Sequence, residues 1–203
     1  MALATTADPA LGLLELDSVA IGVLTGDAMV KASPVSAIYS GTVHPGHYLL
    51  AVTGDTASVE IALETGRATA GNVVIDEVFL PAVAAAVAAA IVTDSQAATA
   101  DGEAVGIIEC TGVAAAIDAA DAAVKAADVQ IATLRLADGL GGKGYVMLGG
   151  VLAETEAAVE AGLSRLDPGR VLHSVVIAQL APEMRADLAA DLRFRRVVRT
   201  GSA

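Results

Sequence analysis

The stretch Ala10–Val35, ALGLLELDSVAIGVLTGDAMVKASPV, returns 94 positions later as Ala104–Val129, AVGIIECTGVAAAIDAADAAVKAADV, without a gap. Eleven of the 26 columns are identical, among them Gly12/Gly106, Glu15/Glu109, Val19/Val113, Asp27/Asp121 and Lys31/Lys125. Chance alone gives about two or three matches in an Ala-rich chain. After a two-residue shift the match resumes, with Gly54 over Gly150 and Glu60–Gly66 over Glu156–Gly162. One module has been duplicated and fused.

Each copy reads as strand, helix, strand, loop, strand, helix, strand and terminal helix. Leu11–Leu16 and Val105–Cys110 are apolar runs of strand length, and Ser18–Ala32 and Gly112–Ala127 follow as helices. Asp27 and Lys31 stand four apart with the acid first, as do Asp121 and Lys125, a spacing that mildly stabilises a helix. Val35–Thr42 and Val129–Leu136 are strand-like; Tyr48–Val52 and Tyr145–Leu148 return after glycine-bearing loops as hairpins. Helices are expected over Thr56–Ala70 and Val151–Leu166, with last strands at Val73–Leu80 and Val171–Leu180, stopped by Pro81 and Pro182. This is the split βαβ plan. The fold class is α+β: two tandem ferredoxin-like-variant domains, each an antiparallel sheet with helices on one face. The domains are placed at 1–92 and 104–203, joined by the small polar linker 93–103.

Composition limits what such a pair can do. Hydrophobic residues make up 55% of the 203, aromatics 2%, and Trp is absent, so the core is built from Ala, Val, Leu and Ile. Small apolar side chains let elements approach closely and leave surface for contacts between subunits. The longest apolar run, Val78–Val92, contains Pro81 and falls short of the roughly 20 residues that cross a bilayer, so no membrane partner is expected. The start MALATTADPA has no basic residue ahead of an apolar core, unlike a secretory signal. A lone Cys110 excludes an internal disulfide and suits a reducing cytoplasm. A net charge of −12 argues against wrapping nucleic acid. Positive charge gathers near the end at Arg193, Arg195, Arg196 and Arg199, which reads as a solvated helix end.

Taken together, LGLLEL, the helix ending GDAMVKAS, a strand, a glycine-containing loop and TGD opening the next helix resemble the bacterial microcompartment shell domain. Two such domains in one chain are similar to the tandem-domain trimeric shell proteins, in the unpermuted order of the propanediol type. The resemblance implies a pseudohexameric homotrimer tile that joins other shell proteins of the same microcompartment in the cytoplasm. It implies a central pore, passing small polar metabolites, lined by Val43, His44, Pro45, Gly46 and His47 from one copy. From the other copy it implies Asp138, Gly139, Leu140, Gly141, Gly142 and Lys143. Lys31 and Lys125 match the lysine that the family places at the tile edge. Two departures are visible. The family's Pro-Arg-Pro-His-like sequence after the last strand is replaced by Leu80-Pro81-Ala82 and Leu180-Ala181-Pro182, and the second loop is two residues longer than the first.

Some propanediol-type relatives hold an iron–sulfur cluster through a cysteine where this chain has His44, so a three-cysteine cluster is not expected. No cofactor is assigned, although three copies of His44 on one axis offer imidazoles suited to a divalent metal; the bland alternative is a ring of hydrated histidines. His47 either lines the vestibule or faces the sheet, and His173 reads as structural. The glycines at 139, 141, 142 and 144 lie in a hairpin, not between a strand and a helix, so no nucleotide-binding loop is read there. Glu15 and Glu109 read as structural or interface residues, and Cys110 as a small buried one. No catalytic set is found. The competing reading is a small-molecule-binding sensor or enzyme of duplicated ferredoxin-like fold.

Overall fold

The computed structural model describes residues 9–93 and 104–190. All but the first residue of the expected linker lie outside them, as does the arginine cluster at 193–199; Thr93 itself closes a helix. The first copy runs β1 (Ala10–Leu16), α1 (Val19–Ala32), β2 (Ala37–Val43), β3 (His47–Gly54), α2 (Thr56–Ala70), β4 (Val74–Leu80) and α3 (Ala85–Thr93). The second repeats it as β5 (Ala104–Cys110), α4 (Val113–Ala126), β6 (Gln130–Leu136), β7 (Gly144–Gly150), α5 (Leu152–Ser164), β8 (Val171–Ile177) and α6 (Pro182–Ala190). The two sheets, ordered β2-β3-β1-β4 and β6-β7-β5-β8, are antiparallel throughout.

The sequence explains why β1 is central. Every residue of ALGLLEL is buried, which requires cover on both faces. Toward α2, Gly12 leaves no room for a side chain: a Cβ there would lie 2.8 Å from Leu63. Its repeat mate Gly106 meets Val159 of α5 in the same way. The opposite face, with Leu11 and Leu13, joins a cluster that also contains Val83 and Val87 and the buried run Val113–Ile117 of α4. The core therefore continues from one copy into the other.

Caps set the helix starts. Ser18 accepts a hydrogen bond from the Ile21 N–H at 3.2 Å, and Asp55 accepts from Ser58 N–H at 2.9 Å and from its hydroxyl at 2.7 Å. These bonds, the Ser58 hydroxyl foremost, hold the Asp55 carboxyl below its ordinary pKa. Several expected ends move by one to three residues, two of them for visible reasons. α5 stops at Ser164 rather than Leu166, because Pro168 disfavours helix in the residues leading to it. β8 stops at Ile177 rather than Leu180, since Ile177 already pairs with Val105, next to the end of β5. No helix among the described residues is long and apolar enough to cross a membrane.

Candidate functional site

The two hairpin loops lie side by side within one chain. The first is a tight turn: Gly46 N–H donates to Val43 O at 2.9 Å, the His44–Pro45 peptide is cis, and Gly46 takes φ 123°. The second is longer and coiled on itself. Leu140 N–H donates to Ala137 O and Ala137 N–H to Lys143 O, with positive φ at Ala137, Gly139, Gly141 and Gly142. Glycine makes three of those four turns at no steric cost.

Asp138 joins the loops. Its Oδ1 accepts from the His44 N–H at 3.0 Å and stands 3.4 Å from the His44 Nδ1. Gly142 closes the contact, since a Cβ on it would sit 3.2 Å from Pro45 Cδ. His44 and Asp138 stay exposed and border an open concavity of about 500 Å³ with Thr42, Val43, Pro45 and Gly46.

Each loop ends on a base that meets a strand-end glutamate. His47 Nδ1 lies 2.7 Å from Glu15 Oε1, and Lys143 Nζ donates to Glu109 Oε1 at 2.6 Å. These are the same pair in the two copies, with histidine in one and lysine in the other. Sequence reasoning ranked neither. The signal was present all the same: a glutamate at one repeat position and a base at another. Both strands carry a register shift beside the glutamate, between Glu15 and Leu16 and between Glu109 and Cys110. Such bulges re-aim a side chain.

The copies differ in what lies beyond. Glu15 is buried at the joint between them, its Oε2 3.4 Å from the Val113 N–H that opens α4. Asp76 sits beside the same helix start and takes both Arg170 bonds at 2.7 Å. Carboxylates at a helix N-terminus oppose its positive end. Further along α4, Asp121 accepts from Ala84 N–H at 2.7 Å, and the Lys125 ammonium donates to Ala82 O and to Asp121. Lys125 is thus engaged at the joint, whereas Lys31 is mostly exposed and among the described residues holds Asp27 alone.

His173 does not sit in a core. It is exposed on β8 opposite Glu109, where none of the described residues covers that side of the strand. Cys110 is buried against Arg170 and Asp76; burial pushes its thiol up to about 11, outweighing the nearby guanidinium. Among the described residues, no group of three or more His, Cys, Asp or Glu within the chain can hold a metal ion.

Comparison with known proteins agrees with this architecture. The BMC domain model matches residues 10–83 and again 104–180. The chain is 41% identical over 150 residues to the bacterial microcompartment shell protein PduT of Citrobacter freundii, covering 74% of this chain and 80% of that protein. The crystal structure of a microcompartments protein from Desulfitobacterium hafniense DCB superposes with a TM-score of 0.77 at 34% identity, over 89% of this chain and 99% of the other. The fused permuted hexameric shell protein MSM0275 from the RMM microcompartment shares the fold at a TM-score of 0.56 and 19% identity, over 80% and 85% of the two chains. Two matched modules with one sheet order and one joint between them place the chain in the BMC-domain family, in its tandem form.

Proposed function

We propose that the protein is a structural tile of a bacterial microcompartment shell, in which three chains close a pseudohexameric ring around an opening rimmed by the loops at 43–47 and 138–143. One observation carries this reading: the chain contains one copy of an interface and displays the two unburied halves of another. Inside the chain, α4 packs on β4 and β1. Val113 and Ile117 are wholly buried there, and Val78 is 5% exposed. Their repeat mates are bare: Val19 is 43% exposed, Val23 57% and Val175 47%. The α1 face of one chain thus fits the β8 edge of a second copy. Such a head-to-tail contact builds a ring when the rotation closes.

The same mapping supplies partners for Asp27 and Lys31. They would take Ala181 N–H and Gln179 O of a second copy, as Asp121 and Lys125 take Ala84 and Ala82 here. The exposed remainder of both lysines keeps the tile edge as their further proposed contact, toward other shell proteins. The localisation that follows is the microcompartment shell, within the bacterial cytoplasm. The rim offers His44, Asp138 and glycine backbone amides, groups suited to small polar solutes rather than to apolar ones. A non-enzymatic role is the reading that the shell-protein relatives support.

The experiment is assembly. Light scattering on purified protein is expected to give the mass of three chains, and electron microscopy to show sheets alone or with partner tiles. A stable monomer would defeat the ring and favour the sensor or enzyme reading. A second arm concerns metal. The contact of Asp138 with the Nδ1 edge of His44 resembles the carboxylate support usual behind a metal-binding histidine, with Nε2 left for the ion. Stoichiometric metal lost in His44→Ala would establish it, and metal-free protein would leave a ring of hydrated imidazoles.

A further inference from the structure

A second cavity, which meets the rim concavity at Val43 and Asp138, lies between the two copies of one chain. It measures about 320 Å³ and is bounded by Val43 and Leu49 of the first sheet, Ala90 and Ile91 of α3, and Arg135 and Asp138 beside the leucines of β6. This is at the small end of the range for ligand sites, roughly 300–1,000 Å³. Its lining is mixed, with aliphatic side chains from both copies beside the polar groups of Arg135 and Asp138.

Arg135 is only 8% exposed. Among the described residues its guanidinium makes a single hydrogen bond, from Nη2 to the Asp138 carbonyl oxygen at 3.4 Å, and no ion pair. A guanidinium has five donors, and a buried charge without a counter-charge is costly. The neighbouring carboxylate of Asp138 is committed elsewhere, to the His44 N–H. In the first copy the same β2 position is Gly41, so the feature belongs to the second copy alone and does not serve the shared fold.

We propose that this cavity binds a small organic monocarboxylate, its carboxylate on the Arg135 guanidinium and its alkyl chain against the aliphatic side chains. The planar fork of arginine matches two carboxylate oxygens. An alkyl carboxylate fits better than phosphate, because phosphate leaves Leu49, Ala90 and Ile91 without an apolar partner. The same side chains favour a short hydrocarbon tail over a hydroxylated one.

The test is calorimetry on the full chain with sodium butyrate, 1-butanol and inorganic phosphate. Butyrate is expected to bind with a Kd of about 1 mM or tighter, and butanol and phosphate at least ~10-fold more weakly. Arg135→Leu should cost butyrate at least ~10-fold. Ala90→Leu, which narrows the cavity and spares the arginine, should produce a comparable loss and covers the case in which Arg135→Leu does not fold. Absence of butyrate binding in the unaltered protein would overturn the proposal. So would equal binding of butanol or phosphate, or butyrate affinity unchanged in a folded variant. All the named residues belong to one chain, so this outcome is independent of whether three chains form a ring.

Discussion

Helices α1 and α4 descend from one sequence yet live in different surroundings. α4 lies sealed between its own sheet and that of the first copy, while α1 turns Val19, Val23 and Leu24 to solvent. The difference is not one of composition, since α1 is the more apolar of the two in its large side chains. It is one of position: α4 is covered by the sheet of the other copy, and among the described residues no second sheet covers α1. The proposed contact between chains rests on this exposed apolar face, whose duplicate is buried.

The sharpest way to break this comparison is to place one charge on each helix. Ile117→Asp buries an unpaired carboxylate in the joint and is expected to cost about 4 kcal/mol or more, enough to unfold the chain in thermal melts followed by circular dichroism. Val23→Asp at the matching position should alter the melting of the isolated chain by less than about 0.5 kcal/mol while abolishing the oligomer in light scattering. If Val23→Asp leaves the oligomer intact, α1 is not its interface.

Next in size is the strand-end glutamate. Glu15→Gln should cost about 1–3 kcal/mol, because Glu15 is buried on His47 and the start of α4. Glu109→Gln should cost below about 1 kcal/mol in the isolated chain, where its Lys143 partner is half exposed. Equal losses in chemical denaturation would show that burial does not separate the two pairs. The Asp76–Arg170 pair comes after these. Its repeat mates are His173 and Val73, so only the joint within the chain has it; Asp76→Ala is expected to cost about 1–2 kcal/mol in the same measurement. The smallest effect belongs to Lys31→Ala, within about 0.5 kcal/mol for the isolated chain and visible only as weaker oligomers by sedimentation.

Cys110 offers a probe of the same joint. Its thiol, raised to about 11 by burial, should react with a thiol reagent at pH 8 at least ~100-fold more slowly in the native chain than in the unfolded one. Because the folded pKa is raised above the ordinary 9.0, this group favours the native state below pH 9 and loses that contribution as pH climbs toward 11.

The repeat made the element order legible, because identical columns at Gly12/Gly106 and Glu15/Glu109 fix two copies of one register. Turn chemistry placed the loops at 43–47 and 138–143. What stayed hidden was the relation between copies, which resides in contacts distant in sequence. That Glu15 reaches α4, or that Lys125 grips Ala82, cannot be read from periodicity. His173 shows the converse, since a residue that looks structural in a strand is exposed where no described residue covers the strand. Arg135 stood out in no motif; only its burial without a counter-charge marks it.

Fusing the copies also changes what variation is tolerated. A ring of six separate chains would print every substitution six times around its hole. Three fused chains print it three times and let alternate seats specialise. Arg135 opposite Gly41, and His47 opposite Lys143, are differences that a single-copy ring has no means to encode.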